Sequence, residues 1–128
     1  MNSGSCLCGS INYQIIGQPG DIVHCHCQTC QKAHGAAFSS VAAVKEQNFK
    51  LFGQEALNNH ESSPGKFRYF CSHCGTQIYA KREGSEDIIL RLGSLDTQPD
   101  SKESHHIWVS QKASWYSIQN QLPENQEY

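Results

Sequence analysis

Alternation of apolar and polar positions dominates this chain, and helical periodicity is scarce. Ile11, Tyr13 and Ile15 alternate with polar residues, the pattern of a half-buried strand, and Gly17-Gln18-Pro19-Gly20 breaks it. Asp21 to Cys27 reads as a second strand. Phe38 to Val44 and Phe49 to Phe52 are short apolar runs. Lys66 to Phe70 alternates again, as does Thr76 to Ala80. Asp87 to Leu92 is rich in isoleucine and leucine, and His105 to Val109 is one more candidate strand. Short strands punctuated by glycine predict a mainly β fold of several small antiparallel sheets. Helix is predicted only at Thr29 to His34 and over Ser114 to Gln121. The polar stretch Pro123 to Tyr128 is expected to fray.

Length and composition sharpen this picture. The chain has 128 residues, which fits a single domain spanning 1–128. Only 38% of them are hydrophobic, so the core is modest and calls for reinforcement by metal or disulfide. Seven cysteines supply the means. The opening Met1-Asn2-Ser3-Gly4-Ser5 has no basic start and no apolar run, and no later stretch reaches membrane-spanning length. A cytoplasmic protein without membrane contact is therefore expected, in a compartment where structural disulfides are rare. An odd cysteine count would also strand one thiol in a disulfide framework. Metal ligation or redox chemistry is the better reading. The formal net charge of -2 leaves no basic surplus for a nucleic-acid backbone, so no nucleic-acid partner is expected.

The cysteines fall into three clusters: Cys6-Leu7-Cys8-Gly9, Cys25-His26-Cys27-Gln28-Thr29-Cys30, and Cys71-Ser72-His73-Cys74-Gly75. The last is a turn that can grip one metal from one side, although a pair so spaced also serves as a redox dithiol. Cys6 and Cys8 lie two apart, on one face of an extended chain. With Cys71 and Cys74 they make two local thiolate pairs, the pattern of a closed tetrahedral zinc site. Such a site clamps the start of the chain to its middle. The second cluster differs. Cys25, Cys27 and Cys30 can wrap one ion without help, and no fourth cysteine remains. An open coordination position marks a catalytic site. The competing reading is that His24, His26, His34 or His73 closes it, although His24 and His26 should point to the opposite strand face.

These motifs, in this order, resemble those of the glutathione-dependent formaldehyde-activating enzyme (GFA) family, also called the centromere protein V family. The resemblance rests on Gly4-Ser5-Cys6-Leu7-Cys8-Gly9, on Cys25 to Lys32, and on Phe70-Cys71-Ser72-His73-Cys74-Gly75-Thr76. Ser62 to Lys66, Gly93-Ser94-Leu95-Asp96, His106-Ile107-Trp108, Trp115 and Leu122-Pro123 extend it over nearly the whole chain. It implies the Mss4-like fold of a small zinc-binding guanine-nucleotide-exchange chaperone, with several small coiled sheets around zinc. It also implies two zinc ions, a structural one on Cys6, Cys8, Cys71 and Cys74 and a labile one on Cys25, Cys27 and Cys30. The implied activity is that of a carbon–sulfur lyase joining formaldehyde to glutathione. Hydrolysis of a small C=N or C=O substrate is an alternative use of an open zinc site. A non-catalytic zinc-stabilised binding module is another, since fold alone does not imply catalysis. The implied fold is also similar to that of B-type methionine sulfoxide reductases, but those use a lone catalytic cysteine and here the remaining three are clustered.

Beyond the cysteines, Arg68 and Lys32 are candidates to neutralise a thiolate-rich ion or hold a substrate carboxylate. Trp108, Trp115 and Tyr116 read as core or rim packing. Gly93 to Asp96 reads as a turn. His105 and His106 cannot both face inward on a strand, and one of them could serve acid–base chemistry.

Overall fold

The computed structural model describes all of residues 1–128, and ten short strands carry the fold. They are β1 (Asn2–Ser5), β2 (Asn12–Ile15), β3 (Ile22–Cys25), β4 (Ser39–Lys45), β5 (Phe49–Phe52), β6 (Leu57–Ser63), β7 (Lys66–Cys71), β8 (Gln77–Arg82), β9 (Asp87–Arg91) and β10 (Glu103–Ile107). A single α-helix, α1 (Gln28–His34), follows β3. The strands form a three-stranded sheet in the order β1-β2-β5 and a seven-stranded sheet in the order β10-β3-β4-β9-β8-β7-β6. Every pairing is antiparallel except that of β10 with β3. No helix is long and apolar enough to cross a membrane.

The predicted alternation finds its purpose in the core. Tyr13 and Ile15 face inward from β2, with Ile11 just before it, while Asn12 and Gln14 stay exposed. They meet Val44, Ile78, Ile88 and Leu90 from the large sheet, together with Cys6 and Cys71. Each fully buried aliphatic side chain of this kind stabilises the fold by roughly 1.5–3 kcal/mol. The Tyr13 hydroxyl is satisfied by Ser94 Oγ at 2.7 Å, and the Ser94 hydroxyl in turn donates to Arg91 O. Gly4 lies against this pair. A Cβ there would overlap the Tyr13 ring and the Ser94 carbonyl, so only glycine fits.

Two expectations are corrected. Ser114 to Gln121 forms turns instead of a helix. Lys112 Nζ holds the carbonyls of Ala113 and Tyr116, and Asn120 Oδ1 accepts from Leu122 N, so local side-chain bonds replace the helical ladder. Trp115 is accordingly 72% exposed and packs in no core. Residues 123–128 do not fray. They lie along the free edge of β10, where His106 N donates to Pro123 O (2.9 Å) and Asn125 N to His106 O (2.9 Å). Trp108 N donates to Glu127 O at 2.6 Å, and the Trp108 and Tyr128 rings meet edge-on at 5.1 Å. The polar tail thus covers an otherwise open sheet edge.

Candidate metal centres

Two loops bring the four outer thiols together. Cys6 and Cys8 lie in the connection from β1 to β2, while Cys71 ends β7 and Cys74 sits in the turn before β8. Gly9 N returns to Cys6 O (3.1 Å) and Gly75 N to Cys71 O (2.8 Å), each glycine with positive φ (82° and 80°). All four sulfur atoms lie within 4.8 Å of one another. Cys6 and Cys8 Sγ are 3.7 Å apart, and Cys8 and Cys71 Sγ 3.8 Å. A tetrahedron with metal–sulfur bonds of about 2.3 Å has edges of about 3.8 Å, so the donor set fits a tetrahedral thiophilic ion. Backbone N–H groups already point at the sulfurs, Ile11 N to Cys6 (3.2 Å) and His73 N to Cys71 (3.4 Å). Hydrogen bonding from Thr76 draws Cys74 down to about 5, and Ser10 lowers Cys8, whereas burial lifts Cys71 to about 11.

The inner thiols come from one short stretch. Cys25 ends β3, Cys27 is the N-cap of α1, and Cys30 lies in its first turn. The strand was expected to run on to Cys27; it stops at Cys25 because Cys27 Sγ accepts from Cys30 N at 3.3 Å and starts the helix. The three sulfurs lie within 4.8 Å of one another, and no histidine, aspartate or glutamate joins the group. The four candidate closing histidines are engaged or placed elsewhere. His24 contacts Ser40 Oγ (2.8 Å) and Glu103 Oε2 (2.6 Å) through its two ring nitrogens. His26 Nε2 contacts His106 Nδ1 at 2.8 Å, and His106 Nε2 meets Asn120 Oδ1 at 3.0 Å. His73 bonds Ser10 beside the outer thiols, and His34 lines a separate cavity with Arg91. Burial, with His106 and His24 nearby, lowers His26 to about 4 and keeps it neutral. His106 is the buried member of the His105–His106 pair.

Arg68 is buried, and its two terminal nitrogens stand 3.7 and 3.8 Å from Cys30 Sγ, while its Nε donates to Ser62 Oγ at 3.0 Å. Hydrogen bonds with Cys25 and Cys27 push the Cys30 thiol far down, and those with Cys27 and Cys30 push Cys25 far up. Lys32 is exposed and lines a hollow that it shares with Arg68, Thr29 and Ser62. Cys25 and Cys30 open onto a cavity of about 420 Å³ that Lys66, Arg82 and Arg91 also line. A second hollow continues past Cys27 to Trp108 and Tyr128. Arg91, Lys66 and Arg82 were not singled out from the sequence. Only Arg91 left a trace there, as a charge embedded in the apolar run Ile88-Ile89-Leu90-Arg91-Leu92.

A mainly β fold with two cysteine-only clusters able to hold metal ions defines a class of thiolate-ligated metal-binding proteins. Within that class, the chain belongs to the glutathione-dependent formaldehyde-activating enzyme family, whose family model matches residues 1–111. A Fusarium vanettenii protein, provisionally named as an enzyme of this family, is 30% identical over 82 residues. That match takes in 61% of this chain and 44% of the Fusarium protein, so the chain spans less than half of that relative's length. A crystal structure of a Rhodobacter sphaeroides protein shares the fold, with a TM-score of 0.64 at 19% identity over 77% of this chain and 91% of that one.

Proposed function

We propose that residues 1–128 act as one zinc-binding unit carrying two zinc ions, and that it is a carbon–sulfur lyase-type enzyme acting on a small electrophile such as formaldehyde, or on its thiol adduct. The observation that carries this reading is the trio Cys25, Cys27 and Cys30, three sulfurs within 4.8 Å with no fourth protein donor, opening onto a cavity. Zinc held there would supply a soft Lewis acid with one position free for a substrate sulfur, such as that of glutathione or another thiol.

The protein's own groups suit that role. Arg68 places positive charge against Cys30 and offsets a thiolate-rich site. The cap bond from Cys30 N to Cys27 Sγ holds the Cys27 sulfur against the backbone of Cys30 before anything binds. The cavity walls hold an electrophilic carbon close to the sulfur, so that proximity lowers the barrier. Cys6, Cys8, Cys71 and Cys74 are assigned to a closed structural site, because two loops distant in sequence complete one tetrahedron.

Elemental analysis of zinc per chain, with the rate of formaldehyde–glutathione equilibration followed by exchange spectroscopy, tests the reading. Two ions per chain and a rate that falls to background in Cys30→Ser are expected. An unchanged equilibration rate with both sites loaded would exclude the activity.

A further inference from the structure

The molecule holds six buried side-chain polar atoms without a hydrogen-bond partner. All but His26 Nδ1 belong to residues lining one cavity of about 350 Å³: Arg91 Nε and Nη2, Ser39 Oγ, His34 Nε2 and Gln77 Oε1. Arg91 and Ser39 are 4% and 3% exposed. Unpaired buried polar atoms are costly, and a guanidinium is the costliest of these. Their gathering at one place marks a polar cavity that either water or a polar ligand fills.

Arg91 also lines the neighbouring cavity into which Cys25 and Cys30 open, so the one side chain borders both. Charge compensation of the thiols does not account for it. A divalent ion on three thiolates leaves a single negative charge, and Arg68 already stands at Cys30. Lys66 and Arg82 add two more cations on the thiol cavity. None of these four cations makes an ion pair with a carboxylate; the pairs present involve His24, Lys45 and Lys81. Lys66, Lys81, Arg82 and Arg91 on the thiol cavity outnumber its carboxylate side chains, Asp21 and Asp87, by two, and Arg91 Nε and Nη2 bond to no protein atom.

We propose that Arg91, with Ser39 beside it, is a carboxylate subsite adjoining the three thiols, and that the electrophile the enzyme takes is therefore a small oxo acid. The subsite stands on its own observations; assigning its carboxylate to the electrophile rests on the lyase reading above. The planar fork suits the two oxygens of a carboxylate, and the Ser39 hydroxyl, which also lies within reach of Cys30, offers a further donor where the two meet. His34 Nε2 donates in one tautomer, and Gln77 offers an N–H after its amide rotates. With the carboxylate so held, the aldehyde carbon of the same molecule faces the thiol cavity. The thiol then adds across the C=O bond. One C–S bond forms, the carbonyl π bond breaks, and the thiol proton passes to the oxygen, giving a 2-hydroxy-2-thioether acid with no other reactant.

Calorimetric titration of the zinc-loaded protein with glyoxylate, acetate and formaldehyde tests this without relying on turnover. Glyoxylate and acetate are expected to bind competitively and formaldehyde weakly. Arg91→Gln should weaken both acids by at least about tenfold, Arg91→Lys should restore part of that, and Ser39→Ala should weaken them several-fold. Ser39→Ala decides the question if Arg91→Gln fails to fold. Acids that bind no better than formaldehyde, or that bind Ser39→Ala and Arg91→Lys as they bind the parent, would overturn the proposal. Rates are then compared with an uncharged thiol, N-acetylcysteamine, in place of glutathione. A preference for glyoxylate over formaldehyde that persists supports the assignment. A preference that vanishes places the carboxylate on the thiol and overturns it. Acid binding without turnover of any thiol–aldehyde pair leaves the subsite standing and removes the lyase reading instead.

Discussion

Arg68 carries more of the inner site than any other residue outside the thiols, because it is buried and sets both terminal nitrogens against Cys30 Sγ. Removing one member of a buried charged pair leaves the other uncompensated, at a cost of about 3–5 kcal/mol. Arg68→Met is therefore expected to destabilise the fold by about 3 kcal/mol, and Arg68→Lys by less, since the charge survives but the two-nitrogen fork does not. Urea unfolding of the zinc-loaded proteins checks this; equal midpoints for Arg68→Met and the parent would show that the pair contributes nothing. Arg68 could be named from the sequence because it precedes Cys71 by three positions in an alternating strand. Arg91 could not be read so easily. It approaches the thiols through the pairing of β4 with β9, which sets Arg91 opposite Val41, and strand pairing is not written in local periodicity. The seven thiols were legible as clusters because each local group lies within six residues, and spacing that short constrains geometry before folding.

At the scale of elements, strands with one buried face declared themselves and polar strands did not. β1 (Asn-Ser-Gly-Ser) and β6 (Leu-Asn-Asn-His-Glu-Ser-Ser) carry almost no apolar alternation, yet both form, because each is the edge of its sheet and needs only one partner. The polar tail joins β10 for the same reason: backbone bonds, not side-chain burial, hold it there. Helix α1 was legible, but its start was not, since cysteine is not a usual N-cap. That start separates two roles of Cys27. Cys27→Ser keeps an acceptor for Cys30 N, so the helix should hold its stability while the inner site loses a ligand and most of its zinc. Cys27→Ala should lose the ion and, in addition, about 1 kcal/mol of stability. Zinc content and thermal unfolding of the two variants, measured side by side, check this. Equal stability in both would mean the cap bond contributes nothing.

At the scale of the molecule, the two thiol groups differ in what they join. Cys25, Cys27 and Cys30 span six residues around the start of one helix, and β3, which carries Cys25, is held by β4 on one side and β10 on the other. An ion there closes no long loop, so its loss should leave the sheets intact. Cys6, Cys8, Cys71 and Cys74 instead tie the small sheet to the β7–β8 hairpin, and Cys6 and Cys71 are themselves part of the buried core. With a modest apolar fraction to rely on, the fold leans on that link, and binding energy at such a site is folding energy. Stepwise chelation should therefore separate the ions. A mild chelator is expected to remove one zinc per chain with no change in far-ultraviolet circular dichroism, and a strong chelator to remove the second together with the cooperative unfolding transition. Loss of both ions in one step, or an intact transition after both have gone, would contradict this division. On the proposed two-ion reading, the inner ion would exchange while the outer one keeps the molecule folded, which is the arrangement an open site needs if substrate sulfur is to enter and leave without disturbing the sheets.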